Sequence, residues 1–190
     1  MAKIIQIAGT NASGKTTAMR RVIARATSST AIHEEGRKRP VGYDLTFPSV
    51  EGVVRVIGPY AEDLPTGGVD AYGGATEAFY DLVYDLWAQG YSVLFEGIRA
   101  MNHTRGIELE NKTHSMHVFL LSTPLDEVML SLQARREAAG NKRELKSPKD
   151  IESNVTRARN YATKIYEVGG KKYICTRDEA PDKVLLILQG

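Results

Sequence analysis

Eight residues near the start of the chain have the types and the spacing of a phosphate-binding loop. Residues 9–16 read GTNASGKT and match the pattern G-x-x-x-x-G-K-[ST] at every fixed position. Glycines let backbone N–H groups turn inward around phosphates, and a helix that begins at the loop adds its positive end. The residues predicted to bind ATP are Gly9, Asn11, Ala12, Ser13, Gly14, Lys15, Thr16 and Thr17.

Two side chains of this loop have predicted chemical roles. Lys15 is expected to act in catalysis by reaching the β- and γ-phosphates, and the Thr16 hydroxyl is expected to bind Mg²⁺. A glycine-rich turn with an incidental lysine is the alternative. The flanking segments disfavour it, because an apolar strand is predicted over residues 3–8 and a helix over about 15–26.

Strand-like and helical segments alternate along the rest of the chain. Further strands are predicted at 53–57, 92–95, 116–121 and 172–175, and helical spacing of apolar residues separates most of them. This alternation predicts a five-stranded, mostly parallel sheet with helices on both faces, the three-layer α/β sandwich of P-loop NTPases. We expect one P-loop domain over residues 1–190, with a small basic lid at about 140–147.

Two carboxylates are candidates for the chemistry around a transferred phosphoryl group. Glu96 ends an apolar strand, at the sheet edge where ligands of open α/β folds gather, and is predicted to serve the Mg²⁺ ion. Asp70 follows two glycines in a loop that could bring it over the acceptor, and is predicted to be the general base. The opposite assignment, with Glu96 as the base, stays open at this point.

Several cations are candidates to neutralise the charge that spreads over the transferred group. Arg135, near the end of a helix, and Arg143, in the predicted lid, are expected to act in catalysis. Arg157 and Tyr161 are four residues apart on the next predicted helix and could face the site, although Tyr161 also suits a core position. His103 and Arg105 are weaker candidates for the acceptor pocket.

The composition excludes several classes of protein. The chain has 190 residues, of which 42% are hydrophobic, with a net charge of +2 and one cysteine. It has no apolar run long enough to cross a bilayer and no export signal at its start, so a soluble cytoplasmic protein without a membrane partner is expected. The base-reading motif of GTPases and the signature of transporter ATPases are absent, which favours a small phosphotransferase.

Charge is segregated along the chain. Residues 1–43 carry eight Lys or Arg against two acids, residues 44–96 carry one against nine, and residues 133–173 carry eleven against five. Two basic blocks around an acidic block suit an anionic ligand or nucleic acid if they meet on one face. Independent solvated helix faces would explain the same pattern equally well.

Three stretches together resemble a known group of kinases. The loop interior Thr-Asn-Ala-Ser, the stretch IGPY at 57–60 leading to GGVD at 67–70, and VLFEG at 93–97 resemble phage P-loop kinases. These kinases are related to thymidylate kinases and include the 5-hydroxymethyluracil DNA kinases. The resemblance covers residues 3–100 and implies phosphorylation of the 5-hydroxymethyl group of a modified pyrimidine in DNA.

The acceptor is the least determined part of this interpretation. A nucleoside monophosphate kinase needs arginine clamps for an anionic acceptor, but Arg55 is the one arginine between residues 44 and 98. The carboxylates Asp70 and Glu96 instead favour a neutral hydroxyl that must lose a proton. Modified DNA is therefore the predicted acceptor. A deoxynucleoside monophosphate kinase and a nucleotide-gated regulator remain alternatives, and the oligomeric state stays open.

Overall fold

The chain forms a mixed α/β structure around one sheet. A computed structural model describes residues 1–61, 64, 67–72, 75–138, 140 and 147–190. The strands are β1 (Ile4–Ala8), β2 (Ser28–Ile32), β3 (Gly42–Thr46), β4 (Val54–Ile57), β5 (Ser92–Glu96), β6 (Met116–Leu121) and β7 (Lys171–Cys175). The helices are α1 (Lys15–Ile23), α2 (Val69–Tyr72), α3 (Thr76–Ala88), α4 (His103–Thr113), α5 (Leu125–Ala138), α6 (Pro148–Glu167) and α7 (Ala180–Gln189).

The sheet has seven strands, so the prediction of five is wrong. The strand order is β2-β3-β4-β5-β1-β6-β7, and the five strands from β4 to β7 in that order are parallel. The two additional strands, β2 and β3, form an antiparallel hairpin that extends the sheet beside β4. Four of the five residues of β2 are exposed, so the strand lacks the apolar pattern on which the prediction relied.

Helices cover both faces of the sheet. On one face, α1 and α7 pack through Met19, Val22 and Val184 against Leu94 and Phe119 of the central strands. On the other face, α3, α4 and α6 form a core with the opposite side chains of the same strands. Because the central strands are buried on both faces, they read as continuous apolar runs in the sequence.

The register of the parallel strands places the loop 9–16 beside Glu96. Ile7 of β1 pairs with Glu96 of β5, and Ala8 pairs with Leu120 of β6. The three strands therefore end at the same edge of the sheet, where the loop begins. This edge is called the carboxyl edge below.

Helix α4 is an element that the sequence analysis did not predict. Its fourth residue is Gly106, and glycine lowers helix propensity by about 1 kcal/mol relative to alanine. A Cβ atom at Gly106 would lie 2.8 Å from the hydroxyl oxygen of Tyr161 on α6. The glycine thus allows α4 and α6 to pack closely, and tertiary packing outweighs its low propensity.

The helix that follows the predicted lid, α6, begins with a capping box. Ser147 caps α6 by accepting a hydrogen bond from the backbone N–H of Asp150, whose carboxylate accepts one from the Ser147 backbone in return. Apart from residues 140 and 147, the predicted lid lies outside the described residues.

Of the helices in the described ranges, none has both the length and the apolar character needed to cross a bilayer.

Candidate active site

The loop 9–16 is held in shape by hydrogen bonds to its own backbone and to a neighbouring strand end. The Ser13 hydroxyl donates to the carbonyl oxygen of Thr10 at 2.9 Å. Thr123, just after β6, donates from its hydroxyl to the Ser13 carbonyl at 2.7 Å. Gly14 is the N-cap residue directly before α1, with a positive φ of 92°, and no side-chain hydrogen bond caps that end of the helix. The first N–H groups of α1 therefore face the loop.

Lys15 is the buried cation of the site. Its side chain is only 6% exposed, and its ammonium group donates to the Thr10 carbonyl at 2.8 Å. Burial lowers the pKa of Lys15, while the negative charges of Glu96 and Asp70 act in the opposite direction. An ammonium group has three donors, and the Thr10 carbonyl takes one of them. The remaining donors and the cost of burying the charge suit an anionic ligand such as a phosphate.

Thr16 and Glu96 form a hydrogen-bonded pair beneath the loop. The Thr16 hydroxyl donates to the Glu96 carboxyl oxygen Oε1 at 2.8 Å. Glu96 is 1% exposed, and burial raises its pKa to about 7, although Lys15 and Thr16 both favour the ionised form. Hydroxyl and carboxylate oxygens are the ligand types that Mg²⁺ prefers. The two residues predicted to bind Mg²⁺ thus lie side by side, with oxygen atoms of the type that this ion prefers.

The raised pKa of Glu96 predicts a pH-dependent difference in stability. With a pKa of about 7 in the fold and 4.5 when unfolded, the folded protein binds more protons between these values, so its stability falls as pH rises. Glu96→Gln lacks this titration. Urea unfolding of the ligand-free proteins should show the wild type losing about 2–3 kcal/mol relative to Glu96→Gln between pH 5 and pH 8. If the difference in free energy of unfolding between the two proteins stayed constant over this range, the pKa of Glu96 would not be raised in the fold.

Asp70 lies at the side of the site and fixes the segment after β5. Its carboxylate accepts hydrogen bonds from the backbone N–H of Ile98 at 2.9 Å and of Arg99 at 3.0 Å. Each carboxylate oxygen has two lone pairs, so both oxygens keep capacity for a further donor. The backbone that follows Glu96 thus holds the Asp70 carboxylate in place, and Asp70 remains exposed to solvent.

A cleft of about 420 Å³ brings most of the predicted site residues together. The predicted residues in its lining are Asn11, Ala12, Gly14, Lys15, Thr16, Thr17, Asp70, Glu96 and Arg135. Ile98 and Arg99 also line the cleft, and the sequence analysis did not single them out. The segment that carries them directly follows Glu96, which is the signal that could have identified both.

Gly9 and Ser13 face a different space from the other loop residues. They line a second cavity of about 240 Å³ behind the loop, together with Val155 and Arg159 of α6. A Cβ atom at Gly9 would lie 2.6 Å from the Ser13 hydroxyl oxygen, so these two residues support the shape of the loop. Arg143, the predicted lid arginine, lies outside the described residues.

Three other candidates lie away from the cleft lining. Tyr161 is fully buried and donates to the side-chain oxygen of Gln6 at 2.6 Å, which confirms the core interpretation of this residue. Arg105 forms ion pairs with Asp81 and Glu108. The His103 ring packs edge-on against Tyr161 at 5.7 Å between centroids.

Arg20 and Tyr60 are further residues near the site that the sequence analysis did not assign a role. Arg20 on α1 donates to the carbonyl oxygens of Tyr60, Ala61 and Leu64, and so ties the segment before Gly67 to the helix of the loop. The hydroxyl of Tyr60 is buried and has no hydrogen-bond partner among the described residues. Burial, with the negative charges of Glu96 and Asp70, raises the pKa of Tyr60 well above its usual value.

Gly68 allows the segment before α2 to approach Glu96. Its φ is +69°, and a Cβ atom there would lie 2.5 Å from the Glu96 carbonyl oxygen and 2.6 Å from its Oε1. Gly68→Ala should therefore displace Glu96 and lower phosphoryl transfer by at least about ten-fold, as expected when a catalytic group moves by about 1 Å. Gly52→Ala is the matched control, because Gly52 has a φ of +80° and no atom within 4 Å. Equal transfer rates in the two variants would contradict the contact with Glu96.

The chain is similar along its whole length to a curated phage enzyme. It is 27% identical over 189 residues to the 5-hmdU DNA kinase of Pseudomonas phage PaMx11, and the match covers 99% of this chain and 98% of that protein. The chain is related to a phage DNA kinase. This relationship confirms the resemblance that the sequence motifs indicated, and it supports an enzyme that transfers phosphate. No protein-family model matches the chain.

Proposed function

We propose that this protein transfers the γ-phosphoryl group of ATP to the hydroxyl of 5-hydroxymethyluracil in phage DNA. The observation that carries the proposal is the cleft, in which Lys15, the Thr16–Glu96 pair and Asp70 line one space. The relationship to the phage DNA kinase supports the choice of acceptor. We place the reaction in a single P-loop kinase domain that works in the host cytoplasm.

The loop 9–16 is the proposed site for the triphosphate. Backbone N–H groups at the start of α1 and the Lys15 ammonium group would bind the β- and γ-phosphates. Thr16 and Glu96 would hold Mg²⁺, which neutralises charge on the phosphate oxygens when it is bound. Both residues fit this role because the hydroxyl and the carboxylate already lie within 2.8 Å of each other. A bound cation would also favour the ionised form of Glu96.

Asp70 is the proposed general base on the acceptor side. As the acceptor oxygen bonds to the γ-phosphorus, the bond from that phosphorus to the β–γ bridging oxygen breaks and ADP leaves. The acceptor hydroxyl loses its proton to the Asp70 carboxylate in this step. The hydrogen bonds from Ile98 and Arg99 keep Asp70 oriented while the bond forms. Arg135, which lines the cleft, and Arg143 would neutralise charge on the transferred group.

We propose that the acceptor base leaves the duplex to reach this cleft. The 5-substituent of a paired pyrimidine points into the major groove of B-DNA. A γ-phosphate bound by Lys15 would lie in a recess, because Lys15 and Glu96 are 6% and 1% exposed, and base flipping or local strand opening would bring the hydroxymethyl group into it. A mismatched or single-stranded site should react faster than a fully paired one, because it costs less energy to expose.

A deoxynucleoside monophosphate kinase is the second candidate, and the position of Arg99 is compatible with it. Arg99 lines the cleft beside Asp70, at a place where an arginine could hold the phosphate of a free nucleotide. The same side chain would also suit a phosphodiester next to the flipped base. The position of Arg99 alone therefore does not separate the two acceptors.

Labelled ATP and three acceptors separate the proposed functions. Purified protein is incubated with γ-labelled ATP and Mg²⁺, together with DNA containing 5-hydroxymethyluracil, unmodified DNA or free deoxynucleoside monophosphates. Label in the modified DNA alone is the expected result. Label in the free nucleotides alone would support the monophosphate kinase, and slow ATP hydrolysis without any labelled acceptor would support a nucleotide-gated regulator.

A further inference from the structure

The hairpin that extends the sheet ends in a basic tip on the same side as the cleft. This tip, residues 33–41, joins β2 to β3. Gly42, the first residue of β3, pairs with Ile57 at the end of β4, and the backbone N–H of Gly58 donates to the Val41 carbonyl at 2.8 Å. Since β4 runs parallel to β5, both end at the carboxyl edge with Glu96. The tip therefore lies at the edge of the sheet that holds the cleft.

The tip is fastened to the short helix that carries Asp70. The Arg37 guanidinium lies 5.1 Å from the centre of the Tyr72 ring and donates to the Tyr72 carbonyl at 2.5 Å. Glu34 accepts a hydrogen bond from the Tyr72 hydroxyl at 3.2 Å and pairs with Arg37 at 3.0 Å. Tyr72 stands two residues after Asp70 on α2. The tip is thus held beside the acceptor side of the cleft.

Two cations of the tip have no ion-pair partner within the part of the chain that the structure describes. Lys38 and Arg39 are exposed, and neither forms a salt bridge with any described residue. Other exposed arginines are paired, such as Arg21 with Asp178 and Arg25 with Asp182. Glu34 is occupied by Arg37, which leaves Glu35 as the one exposed carboxylate of the tip outside these pairs. Two adjacent unpaired cations on a fixed tip suit a polyanion that passes the cleft.

We propose that the tip 33–41 binds the phosphate backbone of the DNA whose base is phosphorylated, through Lys38 and Arg39. This inference rests on the proposed function and adds the surface that holds the acceptor strand. Contacts to phosphates set the position of DNA without reading its sequence, so the tip would hold the duplex while the target base enters the cleft. Neutralised phosphates release counterions, which makes such binding depend on salt.

Binding of DNA at several salt concentrations tests this surface directly. Fluorescence anisotropy of a labelled duplex containing 5-hydroxymethyluracil gives the affinity without requiring catalysis. The double variant Lys38→Gln/Arg39→Gln should bind roughly ten-fold more weakly at 0.1 M salt, and its slope of log K against log salt should be shallower by about 2. The value of kcat at saturating DNA should not change, because neither residue lines the cleft.

A matched variant on the opposite edge controls for the loss of charge. Lys112→Gln/Lys171→Gln removes two exposed lysines near the amino ends of the parallel strands, because Lys171 begins β7 and Lys112 lies in the last turn of α4, just before β6. This control should keep the wild-type affinity and salt slope. Wild-type affinity and slope in Lys38→Gln/Arg39→Gln would overturn the proposed surface. The tip variant could show the shallower salt slope while the wild type leaves modified DNA unphosphorylated. That result would support DNA binding by the tip and contradict the proposed function.

Discussion

Lys15→Met is expected to lower phosphoryl transfer by about 10²–10³-fold, the usual effect of removing one preorganised charge from a reacting group. Methionine fills most of the volume of lysine but cannot donate to a phosphate. Lys15 is buried and its pKa is lowered by that burial, so the charge costs folding free energy in the ligand-free protein. The variant should therefore be at least as stable as the wild type. Single-turnover kinetics and thermal unfolding measure the two effects separately.

Lys183→Met provides the control for this experiment. Lys183 is a half-buried lysine of α7 that pairs with Glu179 at 3.6 Å and does not line the cleft. Its replacement should change neither transfer nor stability by more than about 0.5 kcal/mol. A Lys15→Met variant that transferred phosphate at the wild-type rate would show that the loop 9–16 does not bind the reacting phosphates.

Asp70→Asn and Glu96→Gln are expected to fail in different ways. Asp70→Asn should lower kcat by about two decades with nucleotide affinity little changed, because it removes the proposed base but not the triphosphate site. Glu96→Gln should instead raise the Mg²⁺ concentration needed for half-maximal rate, since it removes a charged ligand from the pair with Thr16. Amide replacements keep the shape of each side chain and remove its charge. The rate of phosphoryl transfer, measured against Mg²⁺ concentration in each variant, therefore shows the effect of each charge separately.

The hydrogen bonds of Asp70 require one control in this comparison. An amide at position 70 can still accept from one of the N–H groups of Ile98 and Arg99, but its own NH₂ group cannot accept from the other. Asp70→Glu keeps the negative charge and changes only the length of the side chain. A higher rate in Asp70→Glu than in Asp70→Asn would show that the reaction depends on the carboxylate. If Asp70→Asn turned over normally and Glu96→Gln was inactive at saturating Mg²⁺, the two roles would be reversed.

The central part of the site was predictable because its residues occur at fixed spacings. The loop 9–16 carries its pattern within eight adjacent residues, and Glu96 ends an apolar run whose burial on both faces leaves few alternatives to a strand. Parallel strands end at one edge of the sheet, so the loop and Glu96 were expected at the same edge, and the pairing of β1 with β5 makes them neighbours. Adjacent residues and continuous apolar runs therefore predicted the part of the cleft that we propose binds phosphate.

The parts that sequence analysis missed depend on contacts between distant segments. Strand β2 is mostly exposed and has no apolar face. It is held in the sheet by its antiparallel backbone pairing with β3. Helix α4 contains Gly106, whose role becomes visible only when Tyr161 of α6 lies against it. The contact of Arg20 with three carbonyl oxygens likewise joins positions about 40 residues apart. No local pattern in the sequence reports such contacts.

The position of the transferred phosphate in the product tests the central claim most directly. Modified DNA is treated with the protein, ATP and Mg²⁺, digested by nucleases to nucleoside monophosphates without phosphatase, and analysed by mass spectrometry and ³¹P NMR. The account predicts a phosphomonoester on the 5-hydroxymethyl oxygen, formed by the wild type and not by Lys15→Met. A phosphate found at a 5′ end or on free nucleotides, with the 5-hydroxymethyl groups unchanged, would contradict it.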